Sequence, residues 1–157
     1  MHNEHDVGVI NSLIATTIDS VDGYRAAATD ADNQQFRSIF AARADEREEV
    51  VRELQEHVRQ LGGTPEDDGS TLAGAHRFMM DIRDSITGRD DDAVIAEVER
   101  GEDHIKHKYE AALADTELSP QCRDIVQRCF RSVKEGHDQM RDLKHGVTGS
   151  SSTWATE

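Results

Sequence analysis

The sequence predicts an all-α protein, a four-helix bundle in which a crossover with a short extra helix joins the second and third long helices. Three observations lead there. Apolar residues recur every three to four positions through four long stretches, which is the period of a helix with one buried face. Both prolines, Pro65 and Pro120, fall between those stretches. The alternation of apolar and polar residues that marks a strand is absent.

The first helix is expected over 4–29, with Ile10, Leu13, Ile14, Thr17, Val21, Tyr24 and Ala28 on one face. A break at 30–33 leads to the second, 33–61, where Phe36, Ile39, Phe40, Arg43, Arg47, Val50, Leu54, Val58 and Leu61 are in phase and Gly62-Gly63 ends the run. So tight a connection makes the two helices antiparallel neighbours. The polar stretch GGTPEDDGS follows, and Ser70 then caps a short helix, 70–87, bearing Leu72, Ala75, Met79, Ile82 and Ile86. The third long helix, 91–115, carries Val98, Ile105, Tyr109, Ala112 and Leu113 on its buried face. Ser119 caps the last, 119–145, and Pro120 takes its first position; Val126, Cys129, Phe130, Val133 and Met140 form its stripe. These elements make one domain, 1–145, and the polar tail 146–157 reads as disordered. Two tight hairpins joined by a long crossing give the connection pattern of ferritin-like bundles.

With 18 basic and 32 acidic residues the chain carries a formal charge of −14, which repels phosphate backbones and argues against nucleic-acid binding. No stretch is apolar enough to span a bilayer, and the first residues lack the basic and apolar regions of a signal peptide, so a soluble, cytoplasmic protein with no membrane partner is expected. Cys122 and Cys129 stand about 10 Å apart along one helix, too far for a disulfide between them, and read as buried thiols.

The residue that stands out is Glu102. It lies inside the stripe formed by Val98, Ile105 and Tyr109, where a carboxylate must be paired, protonated or bound to metal, because an unpaired buried charge costs several kcal/mol. Two answers are open: a metal ion, or the guanidinium of Arg43 or Arg47, which occupy the centre of the stripe on the second helix. The ion pair is favoured, since a planar guanidinium grips a carboxylate at two points and stays charged when buried.

A set of short motifs runs through the chain: Leu13-Ile14, Asp22-Gly23-Tyr24, Arg43-Ala44-Asp45-Glu46-Arg47, Leu61-Gly62-Gly63, Ala73-Gly74-Ala75-His76-Arg77, Glu99-Arg100-Gly101-Glu102-Asp103 and His137-Asp138. In this combination, over about residues 8–145, the chain resembles the small bacterial ferritin-like four-helix-bundle proteins that carry a domain of unknown function. The resemblance implies the fold, and loosely a role in stress, but no defined activity. Ferritin-like di-iron proteins place a Glu on each of two helices and Glu-x-x-His on each of the other two. Against that pattern Thr17 stands where the first helix would carry a Glu, with Asp19 and Asp22 rotated toward solvent. The Glu-x-x-His-Ala of the second helix maps onto Phe40-Ala41-Ala42-Arg43-Ala44, and Lys134 stands three before His137.

Glu46 and Glu49, an i, i+3 pair near the edge of the second helix's stripe, would join Glu102 and His137 as the ligands of a surviving iron or manganese site. His76 reads as a structural histidine. His104 and His107 lie on the polar side of their helix, where Asp103 and His107 have spacing that pinches an ion weakly. Tyr24 and Tyr109 read as core aromatics whose hydroxyls meet polar partners. No phosphate loop, GxSxG or HExxH occurs. The expected function is therefore that of a non-catalytic bundle with an eroded di-metal site, no cofactor, and a polar core of Arg43, Arg47 and Glu102. A di-metal protein consuming oxygen or peroxide is the first alternative. A homodimeric interaction module using Met79, Met80, Ile82 and Ile86 is the second.

Overall fold

In the computed structural model, which describes residues 2–69 and 91–148, the chain forms four α-helices and, among the described residues, no strand. Helix α1 spans His2–Asp30, α2 Gln34–Gln60, α3 Asp91–Leu113 and α4 Pro120–Thr148. They pack as a helical bundle. The expected helix at 70–87, with His76 and the apolar residues proposed for a dimer face, lies outside the described residues.

Local chemistry sets the ends. The Asn33 side chain accepts the amides of Gln35 and Phe36 and starts α2. At its other end Gly62 adopts φ +84°, and the Gly62 and Gly63 amides return to the carbonyls of Arg59 and Val58, a Schellman motif that a side chain at position 62 would strain. The Ser119 hydroxyl accepts the Cys122 amide at 3.3 Å to open α4 behind Pro120. Both carboxylate oxygens of Asp91, the first residue of α3, accept the amides of Asp32 and Asn33, which ties the α1–α2 turn to the start of α3. Helix α4 continues to Thr148, so the first three residues assigned to a disordered tail are helical.

After α2 the chain turns back along α1. Asn11 donates to the Thr64 carbonyl at 3.0 Å and accepts the Glu66 amide at 2.8 Å, and Gly69 lies so close to Asp19 that a Cβ there would meet Asp19 Oδ1 at 2.3 Å. This covering explains a correction to the sequence reading: Asp19 is half-buried rather than turned to solvent. Asp22 is half-buried as well, and burial pushes its carboxyl above its usual range.

The core is divided in two. One apolar cluster joins Ile10, Leu13, Ile14, Val50, Leu54, Val58, Ile105, Tyr109, Val126 and Val133. The other joins Tyr24, Phe40, Ala44, Val94, Ile95, Val98, Met140 and Leu143. The boundary falls near mid-length on α2, α3 and α4, between Ala44 and Val50, Val98 and Ile105, and Val133 and Met140, and in the last third of α1, between Val21 and Tyr24. Polar side chains fill that boundary.

Candidate functional site

Arg47 and Glu102 stand at this junction. Both are core residues, with Arg47 fully buried and Glu102 2% exposed. Arg47 Nη2 donates to Glu102 Oε1 at 2.8 Å and to the Val133 carbonyl at 3.3 Å, while Nη1 donates to Ser20 Oγ at 2.6 Å. The Tyr24 hydroxyl donates to the second oxygen, Glu102 Oε2. The guanidinium also lies over the Tyr24 ring, 5.5 Å from its centroid. Each helix contributes: Ser20 and Tyr24 from α1, Arg47 from α2, Glu102 from α3 and the Val133 carbonyl from α4.

Glycine makes the room. Gly136, on α4, faces the guanidinium, and a Cβ there would lie 2.4 Å from Arg47 Nη2 and 3.1 Å from Arg43 Cδ. Arg47 Nε is buried with no hydrogen-bond partner among the described residues.

The Arg47 charge is stable in this setting. Burial works against the cation, but Glu102 and the other groups around it together outweigh that effect, and the guanidinium is held above its ordinary pKa. Burial, with the Glu102 charge beside it, pushes the Tyr24 phenol well above 10.0, so the hydroxyl remains a donor. Two turns toward the first cluster, Tyr109 and Thr17 are joined by a hydroxyl contact of 2.9 Å, and Thr17 donates to the Leu13 carbonyl at 2.6 Å. Burial raises the Tyr109 phenol as well.

The remaining candidates go elsewhere. Arg43 does not reach Glu102: it binds Glu46 and, at 2.7 Å, Gln139 Oε1 near the bundle surface. Glu49 is exposed and bonds Arg52 at 3.0 Å. His137 Nε2 lies 2.6 Å from Asp103 Oδ1, so Asp103 turns to His137 and away from His107, which is exposed like His104. Among the described residues Glu46, Glu49, Glu102 and His137 form no common coordination shell; the acidic group that does converge is Glu66, Asp67 and Asp68, in the loop after α2.

This donor set does not fit a di-metal centre at mid-bundle. A guanidinium already occupies one oxygen of Glu102, and two unit charges about 4 Å apart repel by about 4 kcal/mol at an effective dielectric of about 20, twice that for a dication. The positions the ferritin pattern would use hold Thr17, Arg43 and Lys134, and Lys134 pairs with Asp138 at 3.5 Å. Sequence reasoning did not find Ser20, Gly136 or the Val133 carbonyl. The signal for Gly136 was there, since a glycine in mid-helix, within an apolar stripe, marks close approach by a neighbour.

No curated protein matches the chain. The family model for a domain of unknown function (DUF2383) matches residues 6–115, which takes in Ser20, Tyr24, Arg47 and Glu102. The chain belongs to this family, the domain of unknown function DUF2383.

Proposed function

We propose that the protein is a ferritin-like bundle, cytoplasmic and non-catalytic, whose mid-bundle di-metal site has been replaced by the Arg47, Glu102 and Tyr24 network and whose role is binding or scaffolding. The observation that carries this reading is the Arg47 guanidinium, fully buried and bonded to Glu102. A redox or hydrolytic metal needs open coordination and several carboxylate or imidazole donors. Here the central carboxylate has one oxygen on a cation and the other on a phenol that stays protonated. That arrangement stores no reactive group and offers no general base. Its chemistry is that of a lock between helices, which suits a protein acting through its surface.

The test is elemental analysis of untagged protein, before and after anaerobic addition of ferrous iron and desalting, on the wild type and on Glu102→Gln. The expected result is no iron or manganese whose retention depends on Glu102. About two such ions per chain, the stoichiometry of a ferritin-like site, lost in the variant, would overturn the reading and make the protein a di-metal oxidoreductase.

A further inference from the structure

A second polar cluster lies far from Glu102, at the end of the bundle where α2 finishes and α4 begins. The antiparallel arrangement brings together Asp6 from the second turn of α1, His57 from the last turn of α2 and Cys122, the third residue of α4. His57 Nε2 lies 3.2 Å from Cys122 Sγ. The Asp6 carboxylate accepts the Ser119 amide at 3.1 Å, and although burial works against its charge, Ser119 and Cys122 beside it hold its pKa below the usual range. Asp6 is 2% exposed and Cys122 fully buried, while His57 reaches the surface. A buried carboxylate held by a neutral backbone amide is a charge that a bound cation would balance.

We propose that Cys122, His57 and Asp6 form a binding site for a borderline divalent cation of the zinc class. The donor set carries the choice of ion. One sulfur, one imidazole nitrogen and one carboxylate oxygen suit zinc, whereas magnesium and calcium take oxygen alone. The 3.2 Å between sulfur and nitrogen is close to the edge of a tetrahedral shell, given metal bonds of about 2.3 and 2.0 Å. Asp6 does not converge with the other two ligand atoms here, so binding the ion requires its side chain to swing in as the third ligand, with water in the fourth position.

Without metal, burial lowers the His57 pKa and raises that of Cys122, so a thiol faces a neutral imidazole and the S–H donates to Nε2. The cation replaces that proton. The sulfur–hydrogen bond breaks, a sulfur–metal bond forms, and one proton leaves to solvent with no change of oxidation state. Thiolate and carboxylate together then balance the dication. This site is separate from mid-bundle, and its ion does not depend on Glu102.

Cobalt(II) tests it, because thiolate ligation gives a near-ultraviolet charge-transfer band that oxygen ligation lacks. Reduced wild-type protein titrated with cobalt should develop the band to about one ion per chain. The band should vanish in Cys122→Ser, persist in Cys129→Ser, and need about tenfold more cobalt or greater in His57→Phe and Asp6→Asn. Cobalt bound without the band, as the Glu66–Asp68 group would bind it, or a band that follows Cys129, would overturn the proposal. A measurement on the unaltered chain guards against variants that fail to fold: zinc should slow alkylation of Cys122 and leave Cys129 unaffected, read by peptide mass. Equal rates for Cys122 with and without zinc would overturn it equally.

Discussion

Arg47 carries more of this structure than its charge alone suggests. Its guanidinium joins Ser20, Glu102 and the Val133 carbonyl and covers the Tyr24 ring. Glu102 is conspicuous in the sequence because a carboxylate among Val98, Ile105 and Tyr109 breaks the apolar pattern. Which arginine answers it is not legible there. Arg43 and Arg47 are one turn apart on the same stripe, and only the registration of α2 against α3 brings Arg47 to the carboxylate and leaves Arg43 with Gln139. The opposite holds for Gly136, whose value lies in what it lacks. Gly→Ala in mid-helix ordinarily stabilises by about 1 kcal/mol. At position 136 the added Cβ would drive Arg47 Nη2 from its partners, at an overpacking cost of about 1–3 kcal/mol. Gly136→Ala should therefore lower the urea midpoint. A rise would show that the guanidinium has room it does not have in this packing.

Helix ends explain most of what the sequence made plain at the level of elements, because capping is local. Asn33, Gly62, Ser119 and Pro120 each act within a few residues of their place in the chain. The covering of α1 by the residues after α2 was not legible, since nothing local to Asn11 or Asp19 records what packs on them. The end of α2 also supplies a pH dependence. A histidine in the last turn of a helix is usually favoured as the cation by the helix dipole, but His57 is packed against α4, and burial, with Arg128 nearby, outweighs the helix end and Asp6. Its folded pKa thus lies below the ordinary 6.5. Above that value both folded and unfolded chains are neutral here and the stability is fully present. As pH falls below it, the unfolded chain binds the proton first and stability is lost. The exposed His5 and Asp115 pair is present in any variant at position 57, and His5, whose pKa is raised, works in the opposite sense. In chelator-treated protein, the loss of melting temperature between about pH 7.5 and 5.5 should be smaller in His57→Gln than in the wild type. An equal loss would show that His57 is protonated as readily in the folded chain as in the unfolded one.

At the scale of the whole molecule, two apolar clusters meet at a polar layer to which all four helices contribute. Apolar packing alone tolerates sliding, because a stripe shifted by one turn, about 5.4 Å, still faces a stripe. The layer removes that freedom: a shifted α2 would leave Arg47 and Glu102 as uncompensated charges. The two-cluster division is only half legible in the sequence, which shows polar residues at mid-stripe on α2 and α3 but not that their levels coincide. A buried ion pair adds little net stability over an apolar replacement, yet breaking it by removing one partner costs about 3–5 kcal/mol. A double-mutant cycle measures this most directly, using Arg47→Met, Glu102→Leu and the pair together, each unfolded in urea in metal-free buffer. Each single change should cost about 3–5 kcal/mol, and the double variant should recover most of that loss. Costs that simply add, or an Arg47→Met protein as stable as the wild type, would contradict the assignment of Arg47 and Glu102 as the lock between the helices.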